Sequence, residues 1–247
     1  MKISAPSRPG PGSRKVLAWS VHLLTASGAL WGILAIIAAV NRDWLPFFIW
    51  MGLASLIDGL DGTFARAAQV KRVLPNFDGA LLDNIVDYLN YVIVPALFLY
   101  LANLMPAGFE FVGGAVIALT SAYQFSQGDA KTDDDFFKGF PSYWNVVVMY
   151  LFLLNPSPWL NLAVIVTCGI LVFVPIKYIY PSRTRPFRKL TLTLSGLWSV
   201  AIVIVFFNFD NPPLGLVKLS LLFIAYYIGI SLYLHFREKH SPVMRHA

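Results

Sequence analysis

The chain has 247 residues, of which 57% are hydrophobic and only 13% charged. A soluble globular domain carries about 25% charged residues, so this composition, with a mean hydropathy of +0.64, excludes an ordinary soluble domain and describes a polytopic membrane protein. The net charge of +6 does not indicate nucleic acid, because the basic residues flank apolar segments, and a single cysteine, Cys168, excludes a disulfide within the chain.

In chain order, residues 1–15 are basic and rich in Pro and Gly, and read as a cytosolic tail. The apolar run after them is too long for a signal-peptide core and lacks a clear cleavage site, so it reads as a retained first helix. With it the chain has eight apolar segments, at 16–40, 44–66, 79–103, 109–128, 142–155, 158–180, 190–208 and 214–236. Most approach the ~20 residues that span a bilayer; the fifth is short and is expected to be tilted or partly interfacial. All are expected to be helices, since an isolated strand leaves its backbone unsatisfied in lipid. The expected fold is therefore all-α, with about eight transmembrane helices in a single catalytic domain over 16–236 and a second cytosolic tail at 237–247. No internal repeat suggests a repeat-built transporter.

Orientation follows from Lys and Arg. With both termini in the cytosol, 17 of the 19 basic residues fall in inside segments, and only Arg42 and Lys218 lie at outside ends. The loop at about 67–78 is then cytosolic, which places the aspartates flanking it near the cytosolic membrane face.

Those aspartates carry the chemistry. Asp58 and Asp61 are three apart, and Asp83 and Asp87 four apart, so each pair shares one helix face. Asp78, directly before Gly79 and an apolar run, reads as a helix N-cap. A carboxylate in hydrocarbon costs roughly 2.5 to 3.5 kcal/mol on insertion scales, and four on facing stripes would repel one another. Hard divalent cations take oxygen ligands of this kind, and Mg²⁺ or Mn²⁺ sites commonly add substrate phosphates.

The string Asp58-x2-Asp61-Gly62-x2-Ala65-Arg66-x12-Gly79-x3-Asp83-x3-Asp87 resembles the signature of the CDP-alcohol phosphatidyltransferases. The 12 residues between Arg66 and Gly79 exceed the spacing in most of that family and resemble its bacterial phosphatidylcholine synthase branch, as do the stretches at 130–145 and 180–190. The resemblance implies transfer of the phosphatidyl group of CDP-diacylglycerol to choline, with release of CMP, in the bacterial inner membrane. It implies Mn²⁺ or Mg²⁺, two ions, held by Asp58, Asp61 and Asp83. Asp87 would line the same site and accept the alcohol proton. Gly62, Ala65 and Gly79 would admit the nucleotide, and Arg66 the donor phosphate. Homodimers are common in the resembled family.

Other residues remain open. Arg183 and Arg185, in a basic cluster with Arg188 and Lys189, suit topology and anionic lipid, or capture of lipid phosphate. Choline is a quaternary ammonium and calls for aromatic faces; Tyr88, Tyr91, Tyr123, Tyr143 and Trp144 are candidates, each also explicable as an interface anchor. Asp133, Asp134 and Asp135 read as a solvated loop or as an attractor for the cationic acceptor. His22 reads as a packed or interfacial side chain, while His235, His240 and His246 lie at or beyond the last helix. A different acceptor alcohol (serine, inositol or glycerol phosphate) is the nearest rival, although an anionic one would call for more arginines than Arg66. A cation-coupled transporter would leave the spacing of Gly62, Ala65, Arg66 and Gly79 unexplained.

Overall fold

A computed structural model describes residues 11–239. Most of the tail at 1–15, and residues 240–247 with His240 and His246, lie outside the described residues. The described chain divides into two compact units, the first ending at Asn90 and the second starting at Tyr91.

The first unit contains α1 (Pro11–Val40), α2 (Trp44–Ala67), a single turn α3 (Val70–Val73) and α4 (Gly79–Tyr88). The first helix begins before the apolar run, taking in residues 11–15 that the sequence assigns to the tail. Much of its inner face is made of small side chains: Thr25, Gly28, Gly32, Ala35 and Ala39 recur every three or four residues, Ala18 lies seven before Thr25, and all are buried. Small residues at this spacing let helix backbones approach closely where lipid supplies no hydrophobic drive of its own. The approach is tight at two points. A Cβ on Gly28 would stand 2.6 Å from Val86 Cγ1, and one on Gly32 would stand 2.5 Å from Asn90 Oδ1. Asn90 donates its amide to the Gly28 carbonyl at 3.0 Å, fastening α1 to the turn that follows α4. Phe47, Phe48, Met51 and Ala54 form the buried face of α2, and Trp31 stacks on Trp50 with ring centroids 5.6 Å apart.

After α4 the helix passes through one π turn, Leu89–Ile93, into α5 (Val94–Leu101). The second unit then contains α6 (Glu110–Ser126), β1 (Phe136–Lys138), α7 (Trp144–Leu154), α8 (Pro158–Phe173), β2 (Lys177–Ile179), α9 (Arg188–Phe207) and α10 (Leu214–Lys239). Every one of the eight apolar segments holds a helix. Among the described residues, five helical stretches are long and apolar enough to cross a membrane, and Trp144–Leu154 and Pro158–Phe173 are shorter apolar helices. Their outward surfaces are greasy, with Leu23 72% and Phe207 86% exposed. This is the surface of a multi-pass membrane protein.

The sequence reading contains no strand, and here the structure differs. The sixth segment stops being helical at Phe173. Pro175 follows, and Val174 before it is extended at φ −85° and ψ 119°, as sterics before proline require. β2 then pairs antiparallel with β1, Phe137 opposite Tyr178. Side chains of α10, spaced four residues apart, satisfy the outer edge of this ladder. The Tyr227 hydroxyl donates to the Ile179 carbonyl, the Ile179 amide donates to Ser231 Oγ, and the Lys177 amide donates to His235 Nδ1. Two three-residue strands thus persist because a helix completes their hydrogen bonding.

Candidate active site

The site is assembled in the first unit by α1, α2 and α4. Asp58 lies on α2, one turn before Asp61; Asp83 and Asp87 lie one turn apart on α4. Asp58, Asp83 and Asp87, all half-buried, each offer a carboxylate oxygen, and these three oxygens lie within 4.8 Å of one another. Negative charges this close repel one another unless positive charge sits among them. A cluster of oxygen donors on two rigid helices suits a hard divalent cation.

Asp61 is more enclosed, at 6% exposure. Its Oδ2 accepts the Thr25 hydroxyl at 2.7 Å. Thr25 was not among the residues singled out by sequence. The available signal was positional: it lies three residues from both His22 and Gly28 on the small-residue face of α1.

The loop between α2 and α4 is shaped by its ends. Asp78 caps α4, its Oδ1 accepting the amides of Ala80 and Leu81 at 3.0 Å each, which satisfies two of the donors that a helix start leaves open. Gly79 opens the helix, and a Cβ there would meet His22 Cε1 at 2.6 Å. His22 is buried, tilted against Phe77 at a centroid distance of 4.3 Å and edge-on to Trp19 at 5.8 Å. Arg66 is exposed near the end of α2, and its Nη2 donates to Thr63 Oγ1 at 3.0 Å. A Cβ on Gly62 would lie 3.4 Å from Arg66 Nη1, and Ala65 is half-buried on the same turn.

The remaining candidates fall in differing surroundings. Tyr88 ends α4, half-buried. In the second unit, Tyr143 is the centre of an aromatic group, with ring centroids 6.5 Å from Tyr91, 6.2 Å from Phe137 and 6.1 Å from Tyr227. Tyr123 is exposed and lies 4.8 Å from Phe173. Trp144 is fully buried, and its indole N–H is donated to Ser121 Oγ at 2.7 Å; it serves the core. The Arg183 guanidinium sits 5.1 Å from the centre of the Tyr180 ring, and Arg185 is exposed.

The acidic loop is tied down. Lys138 pairs with Asp129, Lys177 with Asp134, and the Thr184 hydroxyl donates to the Asp135 carbonyl at 2.6 Å. The hydrogen bond and charge of Lys138 hold the Asp129 carboxyl below its usual range. Burial pushes the Asp134 carboxyl up, but hydrogen bonds from Lys177 and Thr132, with the Lys177 charge, outweigh burial and leave it low.

The sequence pattern that describes CDP-alcohol phosphatidyltransferases matches residues 21–176. The chain belongs to the CDP-alcohol phosphatidyltransferase family. It therefore joins enzymes that generally use a divalent metal, and its aspartate trio is a cluster able to hold one. Among its relatives, a protein of Mesorhizobium japonicum is 46% identical over 73% of this chain and 68% of its own length. One of Pseudomonas aeruginosa is 40% identical over 91% and 94% of the two chains, and one of Legionella pneumophila 42% identical over 92% and 91%. All three carry the name phosphatidylcholine synthase.

Proposed function

We propose that this phosphatidyltransferase joins the phosphatidyl group of CDP-diacylglycerol to choline and releases CMP. The observation that carries the reaction type is the closure of Asp58, Asp83 and Asp87 within 4.8 Å in a chain of this family. The names of its relatives, which align over most of the chain, support choline as the alcohol.

In this reading Asp58, Asp61 and Asp83 hold Mn²⁺ or Mg²⁺, two ions, and Asp87 lines the same site. When bound, the cations would offset the negative charge of the pyrophosphate oxygens. Asp87 accepts the proton of the choline hydroxyl. The freed oxygen forms a bond to the phosphorus that bears diacylglycerol. The bond from that phosphorus to the bridging oxygen breaks, and CMP departs with the electron pair. Most of the barrier reduction comes from holding these groups in line and from fixed charge.

Gly62, Ala65 and Gly79 leave the backbone open to the nucleotide, and Arg66 meets donor phosphate through charge-assisted hydrogen bonds. Arg183 and Arg185 are assigned to the lipid phosphate. For the choline ammonium, Tyr88, Tyr91, Tyr123 and Tyr143 remain the aromatic candidates; the enclosure of Trp144 makes it a weaker one. Residues 16–236 act as one catalytic domain in the bacterial inner membrane. Both termini and the aspartates face the cytosol, as the distribution of Lys and Arg favours. A homodimer is carried over from the family, and a detergent-corrected mass tests it.

The deciding experiment is an acceptor panel on isolated membranes. CDP-diacylglycerol and Mn²⁺ are supplied with choline, serine, inositol or glycerol 3-phosphate, and CMP and labelled lipid are followed. Turnover with choline alone, abolished by EDTA, is expected. Turnover with another alcohol would keep the mechanism and discard the acceptor. Uptake of a solute without CMP release would discard both.

A further inference from the structure

His22 is a buried side chain that the aspartate chemistry does not use. It is 6% exposed, and its Nε2 has no hydrogen-bond partner among the described residues. Native structures rarely leave a buried polar atom unsatisfied without a reason, and a ligand is one. The ring lies against Gly79, where a Cβ would come within 2.6 Å of Cε1 and 3.7 Å of Nε2. Gly79 is four residues before Asp83, so it lies one turn along α4 from the carboxylate trio, on the same face. Three residues along α1, Thr25 holds Asp61. His22 therefore borders the site at the loop end of α2 and α4.

The chemistry at this border selects the ligand. A phosphate is poorly suited to it. Two amides at the start of α4 are already given to the Asp78 carboxylate, the Gly79 amide is given to the Phe77 carbonyl at 3.1 Å, and Asp78 is itself a negative charge. The surroundings of His22 are aromatic, Phe77 and Trp19, and its imidazole offers one nitrogen. Flat rings and a single hydrogen-bonding nitrogen suit a nucleobase or ribose hydroxyl. In a nucleoside diphosphate that portion lies directly beyond the phosphates.

We infer that His22 is a donor-binding residue, and that its Nε2 hydrogen-bonds the cytidine portion of CDP-diacylglycerol beside Gly79. The inference rests on the function proposed above. It makes the first helix a third wall of the nucleotide site, where the family signature lies wholly on α2, α4 and the loop joining them.

The test compares wild type with His22→Phe, which keeps an aromatic ring without the nitrogen, and His22→Gln, which restores a polar atom. Purified full-length protein is assayed for both substrates, and CMP binding is measured by calorimetry. The expected result for His22→Phe is a rise of about tenfold in KM for CDP-diacylglycerol and in Kd for CMP, with KM for choline unchanged. His22→Gln should recover to within about threefold of wild type. Should the Phe variant fail to fold, CMP titration of wild type with labelled histidine carries the test, since the His22 ring resonances should move. Unchanged donor KM in His22→Phe, or ring resonances indifferent to CMP, would overturn the role of His22. A folded wild type that neither binds CMP nor turns over CDP-diacylglycerol would instead overturn the functional reading.

Discussion

Thr25 and Asp61 are 36 residues apart in sequence, yet the threonine hydroxyl donates to the carboxylate at 2.7 Å in a buried setting. This bond fixes the orientation of one Asp61 carboxylate oxygen. Groups that orient a metal-binding carboxylate commonly matter by 10- to 100-fold in metal affinity. Thr25→Val keeps the shape of the side chain but removes the hydroxyl. It is expected to weaken Mn²⁺ binding by about tenfold, read by titration of the free-ion electron-spin signal, while Thr25→Ser stays near wild type. Equal affinities for Val and Ser would show that the hydroxyl positions nothing.

The aspartates are expected to separate by role. Asp58→Asn and Asp83→Asn should lose metal binding and turnover together. Asp87→Asn should still bind CDP-diacylglycerol but lose about 10² to 10⁴ in kcat, the usual range for removing a general base. An Asp87→Asn variant with normal turnover would refute the base assignment.

Packing between α1 and the end of α4 predicts a coupling. Gly32→Ala places a methyl group 2.5 Å from Asn90 Oδ1 and against Leu89. Overpacking of this kind costs about 1–3 kcal/mol. Asn90→Ala removes the obstructing amide together with its bond to the Gly28 carbonyl. The double variant should therefore be destabilised by less than the sum of the two single changes, as read by thermal unfolding in detergent. Strict additivity would place the two residues out of contact.

The 129–138 loop should respond to acid but not to neutral pH. The carboxyls of Asp129 and Asp134 are held below their ordinary values by Lys138 and Lys177. A lowered carboxyl pKa contributes stability that is complete above the ordinary value of about 3.9 and is lost as pH falls through the folded value. Lys138 is shifted the other way, upward, so its contribution is complete below the ordinary lysine value of about 10.4 and is lost only at still higher pH. Backbone deuterium exchange of the loop, corrected for intrinsic rates, should be flat from about pH 5 to 9 and rise below about pH 4. A step near neutrality would point to some other group.

The eight apolar runs were legible because each is a continuous local signal, and the aspartates because a fixed spacing on adjacent helices is local too. Asp78 was legible as a cap for the same reason, and its two amide contacts are found. Thr25 and Asn90 were not. Each is a residue type with many uses, and their partners stand 36 and 62 positions away, where no periodicity reaches. The β1–β2 ladder escaped because its strands are three residues long and are completed by side chains of α10. The π turn at Leu89–Ile93 escaped because it interrupts a helix without interrupting its apolar composition.

The carboxylate trio is drawn from a span that ends at Asp87, and Thr25, Gly28 and Asn90 close the same unit. During synthesis, that whole set has been joined into the chain once residue 90 has been added, with well over half of the 247 residues still to come. The first helix carries His22 and Thr25, whose neighbours Phe77, Gly79 and Asp61 are all added later. The carboxylate trio and the hydrogen bonds that brace its unit are thus all encoded by the first 90 residues.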